Sequence, residues 1–433
     1  MNATEPVRRA IGLCVSGMSR LSGMHLGHTQ GGEPWPSTGA EAESDPPSGH
    51  SRAIRILLIS EGRLGTGIMG HLRLEQVLHD EATVRSAIEV EVLNVPNPAG
   101  ISRYLVRDIP GLRRIDLDLQ QLRWHAIHSN LARRAFAARE AAGPPFDALL
   151  IHTQAVAFGL RRWRPRRVPV FISADCGTRQ WRDFDIWRPR GLGTRVTEML
   201  TEHFEREALT AADAVLAWSE WTRHTLPQTD TPVHVWHPGL ERRWAGQVSV
   251  RREWPPLLLF VGGRFAAKGG QLFLEAVRPL IATGAARAQI VTSDDVPSEK
   301  GLEVSHLKPG DPRMTELLSQ AHVLVLPSKG EAVPWTIIEA LSQGCVVVAS
   351  DVGANAELVA DAGYVGLIPT ATELRQVLSD LVRSPERLAE LSIRAAERGA
   401  DFEAKRSVSR LVEIIEEVRA EFGEPPTRGS PPS

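Results

Sequence analysis

The sequence predicts an α/β protein made of two doubly wound, Rossmann-like parallel sheets facing each other across a cleft, and three observations predict it. Short runs of Val, Ile and Leu alternate with amphipathic helical stretches along most of the chain, which is the pattern of parallel strands covered on both faces. The series stops and restarts once, where ERRWAGQVSVRREWPP breaks it near 240–255. A length of 433 residues, 42% hydrophobic and 24% charged, can bury two ordinary cores.

Taken in order, residues 1–52 are rich in Gly, Pro and Ser without sustained periodicity and read as a disordered extension. The first series follows: the strand AIRILLIS, a glycine loop and a helix, the strand AIEVEVLNV, a long helix near 116–142, then DALLIHT, VPVFISA, a helix near 194–211 and DAVLAWS. These set a first domain at 53–240 and a linker at 241–255. The second series runs PLLLFVGGR, the helix GQLFLEAVRPLIA, AQIVTS, AHVLVLP and CVVVASD, each strand followed by helical sequence. It sets a second domain at 256–400, a closing helix at 401–422 and a disordered tail at 423–433. Ligands in such sheets lie at the carboxyl ends of the strands.

Composition narrows the function. A net charge of −2 argues against a protein made for bulk nucleic-acid binding. Cys14, Cys176 and Cys345 are too few and too scattered for a disulfide framework or a cysteine-based zinc site, and a reducing cytoplasm fits them. No apolar run approaches the roughly eighteen residues of a membrane span. The expected location is therefore cytoplasmic, with one route to the inner face of a membrane: RRWRPRR, Arg161 to Arg167, has five arginines around a tryptophan and could dock on anionic headgroups or a polyprenyl diphosphate. A solvated loop explains the same residues.

The most informative stretch is LPSKGEAVPWTIIEALSQGCVVVASDVGANAELV, which sets Glu331 and Glu339 eight apart around a helix start. The run His322 to Leu326 predicts a buried parallel strand, Pro327 to Val333 a loop at its carboxyl end, and Pro334 a first-turn helical residue. Glu339 then falls about two turns into the helix. A helix start at this edge offers free N–H groups and a positive dipole end, which suits a phosphate. Two carboxylates beside it suit a hydroxylated ligand that carries phosphate. A solvated pair of glutamates is the plain alternative, weakened by the Ile337, Ile338, Ala340 and Leu341 that surround Glu339.

FVGGRFAAKGG places Gly263, Arg264 and Lys268 at a strand end and helix start. Two cations four apart, beside glycines that admit backbone, suit a diphosphate clamp; two solvated bases on a loop explain the same residues taken in isolation. Gly65-Thr-Gly67-Ile-Met-Gly70 has the G-x-G-x-x-G form after a strand. Taken alone it suggests a dinucleotide fold, yet AIEVEVLNV ends on Asn94 rather than on the acidic residue a nicotinamide site expects. His125 and His128 read as surface or core positions rather than metal ligands. Trp181 and Trp187 could stack on a sugar ring or pack within their own loop.

The order GGRFAAKGG, then E-x7-E in GEAVPWTIIEAL, then GCVVVASDVGANAELV closely resembles the retaining family-4 glycosyltransferases of GT-B fold, the glycosyl transferases group 1. Upstream, FDALLIHTQ, EREALTAADAVLAWSEWTR and VWHPGLE are similar to segments of that family, so the likeness runs from about 54 to 420. The resemblance implies a metal-independent transferase that moves a sugar from a nucleotide-diphosphate donor to an acceptor held by the first domain, with no cofactor. It implies that Arg264 and Lys268 neutralise the donor diphosphate, that Glu339 binds the ribose hydroxyls and that Glu331 faces the donor sugar. Ala332, Val333 and Pro334 would hold sugar hydroxyls and phosphate, and Gly65 and Gly67 would approach the donor.

Two departures matter. Asp175, in ISADCGTRQW, stands near where that family carries a histidine; it could be an acceptor base, an orienting residue or an Asx turn. DDVPSEKG replaces the usual glycine-rich turn after AQIVTS, which leaves UDP, GDP and ADP open. Two other classes stay in view: a catalytically silent GT-B binding or scaffold subunit, and a Rossmann NAD(P) oxidoreductase using the Gly65 loop.

Overall fold

A computed structural model describes residues 53–60, 69–183, 191–244, 253–308 and 310–422, apart from 85–87. Gly65, Gly67 and Trp187 lie outside the described residues, as do the extension before 53 and the tail after 422.

Two six-stranded sheets are present, every pairing parallel. In the first, β1 (Ile54–Ser60), β2 (Ile88–Asn94), β3 (Ala148–His152), β4 (Val170–Ala174), β5 (Ala214–Ala217) and β6 (Val233–Val235) take the order β2-β1-β3-β4-β5-β6. In the second, β7 (Leu257–Val261), β8 (Arg287–Val291), β9 (Leu302–Ser305), β10 (Val323–Leu326), β11 (Val346–Ser350) and β12 (Gly363–Gly366) take the order β12-β11-β10-β7-β8-β9. The two-sheet α/β expectation holds. β3, β4, β5, β10 and β11 are buried at every position, as unbroken Val/Ile/Leu/Ala runs require when helices cover both faces.

Of the four edge strands, β2 was expected and the other three escaped the sequence. VHV, LEVS and GYVG are three or four residues long and only partly buried, so they carry no run of apolar residues for a periodicity argument to find.

Helices cover the sheets much as expected, at Gln120–Ala142 and Thr194–Thr210 on the first and Gly270–Ala282 on the second. His125 and His128 are buried on the first of these. The His128 ring lies against Trp124, and His125 against Phe158. Burial pushes the His128 pKa down to about 4, so both histidines are core residues.

The closing helix is Ala404–Phe422. Its Leu411, Ile414 and Ile415 are buried in the same core cluster as Leu74 and Leu78 of the helix Met69–Val84, so the last helix packs back on the first sheet's layer. Trp236 Nε1 donates to Ser407 O at 2.9 Å. Glu357, beyond β11, accepts from the backbone N–H groups of Glu220 (2.8 Å) and Trp221 (3.1 Å), capping a helix of the first layer with a carboxylate from the second.

The Arg161–Arg167 cluster sits at the amino ends of the first sheet's strands, opposite their carboxyl ends. Arg164 bonds Ala211 O and Asp213, which lead into β5, and Trp163 packs on Phe136. Trp163 is thus half-buried against the first sheet's core, while Arg161, Arg162, Arg166 and Arg167 are exposed.

Candidate functional site

Three loops meet at the carboxyl ends of the adjacent strands β11, β10 and β7. The loop after β7 carries Arg264 and Lys268 in one helical turn, closed by Lys268 N to Arg264 O at 3.0 Å. That turn sets both cations on one side. Phe265 N donates to Asp294 Oδ2 at 2.8 Å, and Ser293 Oγ bonds Gly263 O. The DDVPSEKG segment that departs from the family pattern therefore anchors the cationic loop.

Two glycines let the loops touch. Gly269 has φ +79°, and a Cβ there would lie 2.0 Å from Pro327 O. Gly353 has φ +60°, and a Cβ would lie 2.3 Å from Glu331 O and 2.6 Å from Ala332 O. Only glycine takes that backbone and that approach without strain, and Ala354 N then bonds Ala332 O at 2.9 Å.

With the loops so fixed, Lys268 Nζ stands 2.6 Å from Glu331 Oε2, and Ser328 Oγ donates to Glu331 Oε1 at 2.7 Å. Glu331 is buried, Lys268 half-buried and Arg264 exposed. Lys268 and Glu331, from two separate sequence motifs, thus form one hydrogen-bonded unit with Ser328.

The helix Trp335–Ser342 starts directly beside it, and its first-turn N–H groups have no acceptor within the helix. Pro334 differs from expectation: at φ −74° and ψ 112° it is the extended residue before the helix, not its first turn. Glu339 is consequently just over one turn in, among buried Ile337, Ile338, Ala340 and Leu341.

Glu339 pairs with Arg73 of the helix Met69–Val84. Glu241 lies 4.0 Å from the same guanidinium and 3.4 Å from Arg243. Burial pushes the Glu339 carboxyl above its usual range, and Arg73 pulls only partly the other way. Arg73 also lies over the rings of Trp335 (5.4 Å) and Trp244 (5.9 Å). Trp335 in turn meets Trp218 edge-on at 5.7 Å, and Trp218 stacks on His152 at 5.2 Å. Arg73, Glu241, Trp218 and Trp335 were not singled out from sequence, because nothing in their local patterns links segments so distant in the chain; His152 was reached only through the likeness of FDALLIHTQ to a family strand that ends in a histidine.

Asp175 stands at the carboxyl end of β4, as expected, with its backbone O accepting from Thr222 Oγ1 at 2.6 Å. Burial pushes its carboxyl up to about 6, against the hydrogen bonds of its own and the Cys176 N–H groups. Behind the loop, Glu205 accepts from Thr178 N (3.0 Å), Thr178 Oγ1 (2.6 Å) and Gln154 Nε2 (3.1 Å). Burial raises Glu205 to about 7. Gln154 Nε2 also reaches Cys176 O at 2.6 Å, so a buried network fixes the backbone on both sides of Gly177.

Among the described residues no group of three or more His, Cys, Asp or Glu is gathered to hold a metal ion. No described helix is long and apolar enough to cross a membrane. Cys176 and Cys345 are both buried.

Residues 255–384 match the family model described as Glycosyl transferases group 1. Alpha-maltose-1-phosphate synthase of Mycolicibacterium smegmatis is 28% identical over 276 residues, 54% of this chain and 70% of that protein. Sucrose-phosphate synthase of Thermosynechococcus elongatus superposes with a TM-score of 0.61 at 15% identity, covering 85% of this chain and 100% of its own. Anabaena HepE, solved with UDP, superposes with a TM-score of 0.56 at 14% identity, over 84% of this chain and 100% of its own.

Proposed function

We propose, from the premise that this chain has the GT-B fold and that its residues 255–384 belong to the group 1 glycosyl transferases, that this glycosyltransferase takes a nucleotide-diphosphate sugar and transfers the sugar with retention, without a bound metal. The observation that carries the reading is the Lys268–Glu331 pair at 2.6 Å, beside the helix start at Trp335 and one loop turn from Arg264.

Breaking a sugar–phosphate bond builds negative charge on the leaving diphosphate and positive charge at the anomeric carbon. Lys268, Arg264 and the N-terminus of the helix Trp335–Ser342 would take up the first without reorganising solvent. Glu331 lies on the sugar side of Lys268 in this arrangement, where a carboxylate favours the second. The acceptor then enters on the face the diphosphate leaves, from the first sheet's carboxyl edge, where Asp175 is a candidate to orient it or accept its proton. Glu339 would receive the ribose hydroxyls, sharing them with Arg73. Gly263 and the backbone of Ala332, Val333 and Pro334 would line the phosphates and sugar.

The test is thermal stabilisation by a panel of UDP, GDP, ADP, their sugars and NAD(P), run on the wild type, Arg264→Ala and Glu339→Ala. A donor at about a hundred times its Kd adds roughly 2.7 kcal/mol. One nucleotide class that stabilises the wild type and neither variant supports the site and identifies the base. A response to NAD(P) alone would sink it. Release of nucleoside diphosphate from the responding sugar, unchanged by a chelator, separates a transferase that needs no metal from a silent binding subunit.

A further inference from the structure

Of the thirteen large apolar side chains that the described residues expose, nine fall in two short segments, six in 101–117 after β2 and three in 192–199. Leu192 is 91% exposed and Met199 61%. The segments form one surface. Gly193 N donates to Ile115 O at 2.7 Å, Thr194 Oγ1 to Asp116 Oδ2 at 2.8 Å and Thr197 Oγ1 to Asp116 O at 2.9 Å. A Cβ on Gly191 or Gly193 would come within 3 Å of Ile115 or Leu117, so the two backbones are in contact. A concentration of this kind on a soluble face marks a binding surface rather than scattered apolar exposure.

Its charge is one-sided. Arg103, Arg107, Arg113, Arg114 and Arg195 are exposed on the same segments. Asp108, paired with Arg113 at 2.7 Å, is the one fully exposed acid among them; Glu198 is half-buried, and Asp116 and Asp118 are buried. The Tyr104 ring carries the Arg103 and Arg107 guanidinium groups at 4.6 and 5.1 Å. Apolar tips such as Leu112, Leu192 and Met199 ringed by guanidinium groups match a bilayer surface that offers acyl chains beneath phosphates. A two-fold partner copy would set this arginine rim against itself.

We propose that this face docks on an anionic lipid bilayer. Both segments follow carboxyl ends of first-sheet strands, β2 and β4, so docking turns the edge that carries Asp175 toward the lipid. The Arg161–Arg167 cluster, at the sheet's other edge, takes no part. The inference needs no donor and stands apart from the transfer reaction.

The experiment is sedimentation of the full chain with vesicles of phosphatidylcholine alone or with about one third phosphatidylglycerol, without nucleotide. Binding to the mixed vesicles alone, weakened by salt, is expected. Leu192→Ser with Met199→Ser, and separately Arg107→Gln with Arg114→Gln, should each reduce it about tenfold or more while Tm and the circular dichroism spectrum stay as in the wild type. Arg161→Gln with Arg162→Gln should leave it unchanged. No binding to the mixed vesicles, equal binding by the folded surface variants, or loss through the Arg161 pair instead would overturn the proposal. So would a dimer in sedimentation velocity that Leu192→Ser dissociates while the wild type ignores vesicles.

Discussion

The carboxylate of Glu339, on a helix beyond β10, is ion-paired with the guanidinium of Arg73, on the helix that follows β1, and both side chains are less than 10% exposed. A ligand hydroxyl that reaches Glu339 must therefore share it with a residue from the opposite layer. Removing one member of a buried pair strands the other at a cost of about 3–5 kcal/mol, whereas an apolar replacement of both costs far less. Arg73→Met should lower stability by about that amount, and Arg73→Met with Glu339→Leu should recover most of it. A double-mutant cycle on Tm or on a denaturation midpoint reads the coupling; additive losses would mean that the pair contributes nothing as a pair.

That contact also marks the limit of what the sequence could say. The spacing of Glu331 and Glu339, the Arg264–Lys268 turn and the interior strands were legible because each is local: period, loop chemistry and helix starts act over a few residues. Glu339 was expected beside a ligand, yet its partner lies 266 positions upstream by residue number, on a helix with no basic residue in its last turn and no acidic one in its first. Glu205 was similarly hidden, since a helix glutamate reads as solvated until the fold buries it against Thr178 and Gln154. The short edge strands were missed for want of apolar length, and Pro334 fell one place early because Pro is as good a residue before a helix as within its first turn.

Lys268 should act on the transition state more than on binding. Its ammonium lies 2.6 Å from Glu331, and in the proposed arrangement it would face the bond where charge grows as the diphosphate departs. Lys268→Ala should lower kcat about 10²–10³-fold while the Kd for the nucleoside diphosphate rises less than about tenfold. Glu339→Ala should do the reverse, weakening donor binding with little change in kcat. Steady-state kinetics with calorimetric binding distinguishes the two; equal loss of kcat/KM with kcat intact would remove Lys268 from the chemical step.

Two of the raised carboxyls, Glu205 and Asp175, give the enzyme an acid-side pH dependence of a specific sign. Glu205 is raised from 4.5 to about 7 and Asp175 from 3.8 to about 6, both by burial. In each window the folded state holds the proton that the unfolded state has lost, so their stabilising contribution is full below the unfolded values and disappears as pH rises through 6 and 7. For Glu205 the loss is on the order of 3 kcal/mol. Glu205→Gln should flatten Tm against pH between 4.5 and 7. If Asp175 takes the acceptor proton, log kcat/KM should rise with pH up to about 6 and then level, and Asp175→Asn should abolish that limb. An unchanged limb in the variant would leave Asp175 as the end of a strand and nothing more.

Gly353 tests whether the site depends on loop contact rather than on the charged side chains alone. It touches no substrate in the proposed arrangement, yet its positive φ and its approach to the Glu331 and Ala332 carbonyls leave no room for a methyl group. Gly353→Ala must push back the backbone that carries Glu331, and with it the 2.6 Å contact to Lys268. Misplacement of about 1 Å at a reacting centre can cost about 10² in rate. A fall of that size in kcat is expected, with Lys268 and Glu331 both still present. Gly284→Ala supplies the control: it has a comparable φ of +71° but open space around it and lies far from the three loops, so it carries the backbone strain of the substitution without the collision. It should lose stability alone. Equal kcat in the two variants would mean that the site tolerates movement of its loop, and that the charges act without the fixed geometry assigned to them.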